Sequence, residues 1–380
     1  MDKKYHKKTI LQVVPALVSG GVERGTLEIA KKIAETGYNS IVISAGGPLV
    51  KPLEEAGSTH IKMNVASKNP ITIWYNARKI ANVIRNSNID IIHARSRAPA
   101  WSCYMAAKAT GISLITTFHG IYNFKGALKK FYNSIMTEGK QVIAVSNFVR
   151  QHIVDNYKVD EKNITVIHRG VNHEEFSCEH VSDKMLTKFR EKYKVPKNTP
   201  VLLLPSRMTS WKGHMVLIEA LEKIKHLNFY CIMAGDLSKH PAYIERMKNK
   251  INEYKLQGKI QLFGNEPKML GLYGIADIVL STSIEPEAFG RTIIEAQSME
   301  KLVIATNIGG ASETIEDNVT GFHVTPGDSD VLATKIEHCL SLLASDEAKK
   351  ITKNARKSAS EKFSLDMMLK NTLSIYDNVE

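Results

Sequence analysis

The sequence predicts an α/β protein built from two doubly wound, Rossmann-like domains. Three observations carry this expectation. Short β-branched apolar runs alternate with segments of helical period, the alternation restarts after a charged stretch near the middle, and 380 residues suit two domains of about 150 residues each. Two domains of this kind are expected to face each other across a central cleft.

In the first half the runs are TILQVV (9–14), SIVIS (40–44), IDIIHA (89–94), SLITTF (113–118), QVIAV (141–145) and ITVIH (164–168). Continuous apolar runs fit parallel strands covered by helices on both faces. Segments 22–35, 71–86 and 98–109 have the spacing of amphipathic helices between them. A charged stretch from about 177 to 199 follows, and then VLLLP (201–205), FYCIMAG (229–235), KIQLF (259–263), DIVLS (277–281) and KLVIAT (301–306) repeat the pattern. Residues 329–343 put Val331, Leu332, Ile336, Cys339, Leu340 and Leu343 on one helical face, with Asp328 or Ser329 as N-cap. The expected division is an N-terminal domain 1–177, a C-terminal domain 178–363, and a last helix, 364–380, packing back onto the first domain.

Composition excludes several classes. At 43% hydrophobic and 24% charged residues the chain is neither disordered nor fibrous. Cys103, Cys178, Cys231 and Cys339 form no CxxC pair, so they read as reduced, mostly buried thiols rather than a zinc or redox site. No apolar run approaches the ~20 residues of a membrane span. The N-terminal MDKKYHKKTILQVV is basic but has no cleavage-site pattern, so a cytoplasmic protein is expected.

The net charge of +12 is one-sided: residues 1–178 hold 24 Lys and Arg against 13 acids, and residues 179–380 hold 27 against 26. A positive first half suits an anionic partner such as an acidic lipid surface or a phosphorylated saccharide. Nucleic acid is not expected, because neither a helix-turn-helix, an RNP-like string, zinc-finger spacing nor a long basic block occurs.

Two acids, Glu287 and Glu295, stand in SIEPEAFGRTIIEAQSME just after the run 277–281. Pro286 and Gly290 mark a loop and the helical pattern begins near Arg291, so the free amides of Phe289, Gly290, Arg291 and Thr292 lie between the acids in sequence. Such a helix start takes an anion while flanking carboxylates accept hydrogen bonds from sugar hydroxyls. Exposed acids favoured by the helix dipole would give the same spacing.

Arg207 and Lys212 follow the run 201–205 directly, where two cations can neutralise a diphosphate. Gly20 and Gly21 fill the first strand-to-helix turn and let backbone approach a ligand, although neither a P-loop nor GxGxxG is present. His119 closes TTFHG at a strand end, the ligand-facing edge of such sheets, and His93 ends the preceding strand beside Arg95 and Arg97. Asp328-Ser329-Asp330 matches a metal-holding DxD, but its place before a helix fits capping.

Together these residues resemble glycosyltransferase family 4, retaining GT-B enzymes that use nucleotide-sugar donors. The matching pieces are the glycines at 20–21, TFHG, VIAVSNFVR (142–150), VIHRGVN (166–172), SRMTSWKGH, the E-x7-E core 287–295 and GGASETIEDNVTGFHV (309–324). The resemblance implies that Arg207, Lys212 and the backbone at 289–292 hold the donor diphosphate. It places Glu295 on the nucleotide ribose, Glu287 on donor-sugar hydroxyls, His119 near the sugar, and Gly20 and Gly21 near phosphate and acceptor. It also implies that no metal or other cofactor is needed, since cations and helix amides stabilise the leaving diphosphate. Arg169 replaces a commoner Asn, and Ala288 a commoner Gly, which narrows the sugar pocket.

IIHARSRAPAW is similar to a segment of bacterial transferases that build lipopolysaccharide core or capsule. The expected reaction is therefore hexose transfer from a nucleotide diphosphate sugar to an anionic glycolipid or saccharide, on a cytoplasmic enzyme peripheral to the inner membrane through its basic first domain. Residues 124–136, with Phe124, Leu128, Phe131, Tyr132 and Ile135 on one face, are either an interfacial helix or one packed on the sheet with Lys125, Lys129 and Lys130 in water. The rival functions are a sugar-nucleotide epimerase on the same fold and a non-catalytic nucleotide-sugar or anionic-glycan binding protein.

Overall fold

The computed structural model describes residues 7–18, 20–122 and 126–379. They form two compact units, each treated separately below: one runs to His168 and takes in the C-terminal segment from Met367, and the other is Arg169–Asp366.

The first unit alternates β1 (Thr9–Val13), α1 (Gly21–Glu35), β2 (Asn39–Ser44), α2 (Val50–Glu55), β3 (Thr59–Lys62), α3 (Pro70–Asn86), β4 (Ile91–Ala94), α4 (Arg97–Thr110), β5 (Ser113–Phe118), α5 (Ala127–Ser134), β6 (Gln141–Ala144), α6 (Asn147–Tyr157) and β7 (Ile164–Val166). Its strands pair in parallel in the order β3-β2-β1-β4-β5-β6-β7. The order reverses beside β1, which makes the loops after β1 and β4 a topological switch point. Ile10, Leu11, Val13, Ile91, Ile92 and Ile115 are fully buried, as strands covered on both faces require.

The second unit contains α7 (Asp183–Lys192), β8 (Val201–Pro205), α8 (His214–Lys223), β9 (Tyr230–Ala234), α9 (Pro241–Glu253), β10 (Ile260–Phe263), α10 (Met269–Ile275), β11 (Ile278–Ser281), α11 (Arg291–Ser298), β12 (Leu302–Thr306), β13 (Phe322–Val324), α12 (Ser329–Leu342) and α13 (Asp346–Lys362). All six strands are parallel, in the order β10-β9-β8-β11-β12-β13. Leu202, Leu204, Leu217, Ile218, Phe229, Ile278 and Ile304 make its core. Here the order reverses between β8 and β11, so the loops that follow those two strands share one sheet edge.

The unit boundaries fall at 168/169 and 366/367 rather than at 177/178 and 363/364. Segment 169–182 packs with the second unit: Ser298 Oγ donates to Phe176 O (2.7 Å), and Val171 N donates to Phe363 O (2.9 Å). α14 (Leu365–Asn378) begins in the second unit and ends in the first. There Lys8 Nζ donates to Tyr376 O (2.8 Å), and the Tyr376 hydroxyl sits 2.7 Å from His93 Nδ1.

Two strands escape the sequence reading. β3 is an edge strand with no fully buried residue, and β13 has three residues, so neither leaves an apolar run. In α12 the buried face is Leu332, Ala333, Ile336, Cys339 and Leu342, while Val331 is exposed in the first turn. The reading of 124–136 as a helix packed on the sheet fails for its centre: Leu128 is 87% and Phe131 65% exposed. Ile135 alone of that face is deeply buried, in a short 3₁₀ turn after α5, and Phe124 and Lys125 lie outside the described residues.

Candidate active site

In the second unit the loops after β8 and β11 are stitched together by backbone. Gly213 has φ +72°, and a Cβ there would lie 1.8 Å from Thr282 O, so only glycine lets the first loop rest on the second. The Thr282 hydroxyl donates to Lys212 O (3.0 Å), and Ile284 N donates to Trp211 O (2.8 Å). A third loop, after β12, clamps Glu287 by its backbone. Gly310 N donates to Glu287 O (2.7 Å), and a Cβ on Gly309 (φ +70°) would come within 2.5 Å of that same oxygen. This gives the GGASET segment a structural task that its sequence alone did not disclose.

The clamp brings two of the expected residues together: Lys212 Nζ lies 2.7 Å from Glu287 Oε2, with the side chains 14% and 15% exposed. Ser283 Oγ donates to the other carboxylate oxygen of Glu287. Burial lowers the Lys212 pKa, Glu287 opposes that shift, and the Arg207 charge adds to it. Arg207 is exposed, and its guanidinium lies 5.2 Å from the centre of the Trp211 ring, over which Lys212 Nζ sits at 4.5 Å. Two cations therefore share one aromatic platform, and the more buried one leans on a carboxylate.

α11 starts at Arg291 after Gly290 (φ 133°), which provides no side-chain cap, so the first-turn amides keep the positive end of the helix dipole. Phe289 is buried edge-to-face on Phe363, 5.6 Å between centroids, and fixes the entry into the helix. Arg291 and Thr292 are partly exposed. Glu295 is more enclosed than an acid offered openly to a ribose: Tyr273 OH donates to Oε2 (2.9 Å) and Arg291 Nε lies 3.5 Å from Oε1.

The other expected residues belong to the first unit. Gly20 (φ 136°) precedes α1, Gly21 opens it, and both are exposed. His119 is half-buried immediately after β5. His93 is not an edge residue. It lies inside β4, fully buried, with Nε2 2.7 Å from Thr117 Oγ1 and Nδ1 on Tyr376, which makes it a packing residue. Arg95 is also buried, and desolvation lowers its pKa against the opposing influence of Tyr376 and Glu28.

Sequence reasoning missed Ser283, Tyr273 and Trp211. Ser283 precedes Glu287 by four positions in the same loop, and Trp211 lies between the two cations, so both had a positional signal. Tyr273 comes from α10 and had none. Asp328 accepts from Asp330 N and Val331 N as a helix cap, and among the described residues no three His, Cys, Asp or Glu side chains cluster to hold a metal.

Two doubly wound units, one carrying a Lys–Glu pair, a neighbouring arginine and an uncapped helix start on a single sheet edge, define a GT-B glycosyltransferase. Comparison with known proteins agrees: residues 186–358 match the family Glycosyl transferases group 1, and residues 19–175 match Glycosyltransferase Family 4. The chain belongs to glycosyltransferase family 4. It is 57% identical to a glycosyltransferase from Rickettsia africae ESF-5 of known crystal structure, with TM-score 0.93 and 99% of each chain covered. Anabaena HepE, solved in complex with UDP and glucose, shares the fold at 24% identity, TM-score 0.86, covering 97% of this chain and 99% of that one. A curated relative is the phosphatidylinositol N-acetylglucosaminyltransferase GPI3 subunit of Saccharomyces cerevisiae strain YJM789, 24% identical over 376 residues, covering 95% of this chain and 80% of the relative.

Proposed function

We propose that this glycosyltransferase moves a hexose, with retention of configuration and without a metal ion, from a nucleoside diphosphate sugar to an anionic glycolipid of the lipopolysaccharide-core type. The observation that carries the reading is the Lys212–Glu287 pair. A diphosphate entering beside Arg207 and the α11 amides competes for Lys212 and frees the Glu287 carboxylate for donor-sugar hydroxyls.

As the anomeric C–O bond breaks, its electron pair goes to the β-phosphate, and Lys212, Arg207 and the amides at 289–292 stabilise the charge that develops there. The acceptor oxygen forms the new bond to the anomeric carbon and gives up its proton to the departing phosphate. As the family resemblance assigns, Glu295 holds the ribose, His119 serves the donor sugar, and Gly20 and Gly21 serve phosphate and acceptor; the Tyr273 hydroxyl supports Glu295. UDP-glucose is the first donor to test, because HepE was solved with it.

The basic first half supports an anionic acceptor, and the curated yeast relative is named for phosphatidylinositol, an acidic lipid. No described helix is long and apolar enough to cross a bilayer, and we place the enzyme peripherally on the cytoplasmic membrane face. The test is release of nucleoside diphosphate from each candidate donor with and without a lipid-linked core acceptor. Acceptor-dependent release with sugar found on the lipid supports the reading. Conversion of the donor to an epimer, or binding without release, replaces it with one of the two rivals.

A further inference from the structure

We infer that the outer faces of α3, α4 and α5 form one continuous surface that docks on an anionic lipid bilayer. The surface can be traced from residue to residue. Ile71, 77% exposed, and Trp74 lie one turn apart on α3, and Trp74 lines a groove whose far wall is Met105 and Ala109 of α4. One turn back along α4, Trp101 packs against Phe131 of α5, 5.3 Å between centroids with the rings tilted by 45°, and Leu128 stands one turn before Phe131. Tyr75 is exposed beside Trp74.

The charge around this apolar strip is predominantly positive, with Glu138 at one end beside Tyr104 and Lys108. Residues 56–137 hold 11 Lys and Arg, of which Arg95 is buried, and a single acid, Asp90. Asp90 lies outside the three helices, in the loop after α3, where it accepts from Thr9 N (2.7 Å). α3, α4 and α5 contain no acid at all. Arg78 caps the Trp74 ring at 4.3 Å, Lys79 the Tyr75 ring at 4.5 Å, and Lys108 the Tyr104 ring at 5.5 Å. Arg85, Lys129 and Lys130 complete the rim.

A soluble partner would need to match apolar tips and cations spread over three helices. A bilayer meets both demands at once, since aromatic and aliphatic tips enter the headgroup boundary while Lys and Arg stay level with anionic phosphates. The surface accounts for the exposure of Leu128 and Phe131, which packing within the unit leaves unexplained. This deepens the glycolipid reading, and lipid binding measured without donor or acceptor keeps the two claims separable.

The experiment is flotation of the full chain with phosphatidylcholine vesicles, with and without phosphatidylglycerol, at low and high salt. Binding is expected only with phosphatidylglycerol and should weaken as salt rises. Leu128→Ser/Phe131→Ser and Arg78→Glu/Lys79→Glu should each cut the bound fraction about tenfold, with thermal melting and nucleotide binding unchanged. Equal binding to neutral vesicles, no binding, or variants that bind like the parent would overturn the inference. So would a salt-sensitive dimer in sedimentation that the same substitutions abolish, since that would give the face to a second copy.

Discussion

Glu287 Oε2 rests 2.7 Å from Lys212 Nζ while Ser283 holds the other carboxylate oxygen, so the acid and the cation proposed to serve the donor are paired with each other. On the proposed reading, a donor would exchange one charge pair for another at Lys212. Lys212→Met should lower kcat/KM about 10²–10³-fold, the usual cost of losing one preorganised group that stabilises developing charge. Ser283→Ala leaves both charges in place and should cost roughly tenfold, mainly in kcat, as expected for loss of one hydrogen bond to a charged group. Steady-state kinetics with a saturating acceptor distinguishes the two.

Glu295 is held by an enclosed hydrogen bond from Tyr273. Tyr273→Phe removes the donor to Oε2 and should raise the donor KM about tenfold, the effect of one lost bond to a carboxylate, while sparing kcat. An equal fall in kcat would instead place Tyr273 in the chemical step.

The loop stitching rests on a glycine. Gly213→Ala would set a Cβ against Thr282 O in a left-handed conformation and should destabilise the second unit by roughly 3 kcal/mol, lowering its Tm by about 6–12 °C. Gly111→Ala has a comparable φ but nothing within 4 Å of the added Cβ, so its cost should stay near 1 kcal/mol. Differential scanning calorimetry of the two variants gives the comparison.

His214 makes acid stability sensitive to pH. Burial, reinforced by the Lys212 charge, lowers its pKa from 6.5 to about 4, with the Thr209 backbone opposing. Between those values the unfolded chain binds a proton that the folded chain does not, so the contribution is complete above pH 6.5 and is lost as pH falls toward 4. Its size is on the order of 3 kcal/mol. His152, His173 and His323 shift in the same direction. His214→Gln should therefore make the fall of Tm between pH 6.5 and 4 shallower without removing it.

The C-terminal helix is tied to the first unit by a fully buried contact. Tyr376→Phe leaves His93 Nδ1 without its partner and should destabilise that unit by about 1–3 kcal/mol, read from calorimetry. An unchanged melting profile would show that apolar packing by Met368, Leu369 and Ile375 suffices.

Legibility followed burial. Strands covered on both faces announced themselves as apolar runs, so eleven of the thirteen strands were found, while exposed β3 and three-residue β13 were not. Glu287, Lys212 and Arg207 could be placed at strand ends because the loops carrying them are local in sequence. The clamp from Gly309 and Gly310 and the Tyr273 bond depend on segments meeting in three dimensions, and periodicity does not record such meetings, whereas Ser283 stands only four positions before Glu287. His93 stands one residue before the end of the run IDIIHA, and nothing in that run shows which partners its ring meets. Its burial between Thr117 and Tyr376 depends on a helix some 280 positions away, since the two residues are separated by 283.

The central claim is that Lys212 holds the diphosphate and Glu287 the sugar. The most direct measurement is calorimetric titration of the parent, Lys212→Met and Glu287→Gln proteins with UDP and with UDP-glucose, extended to the guanosine and adenosine counterparts. Lys212→Met should weaken the nucleoside diphosphate and its sugar conjugate alike. Glu287→Gln should weaken only the conjugate and leave the free diphosphate within a factor of about two, because the lost contact belongs to the sugar. Equal loss of both ligands in Glu287→Gln, or unchanged diphosphate binding in Lys212→Met, would contradict the account.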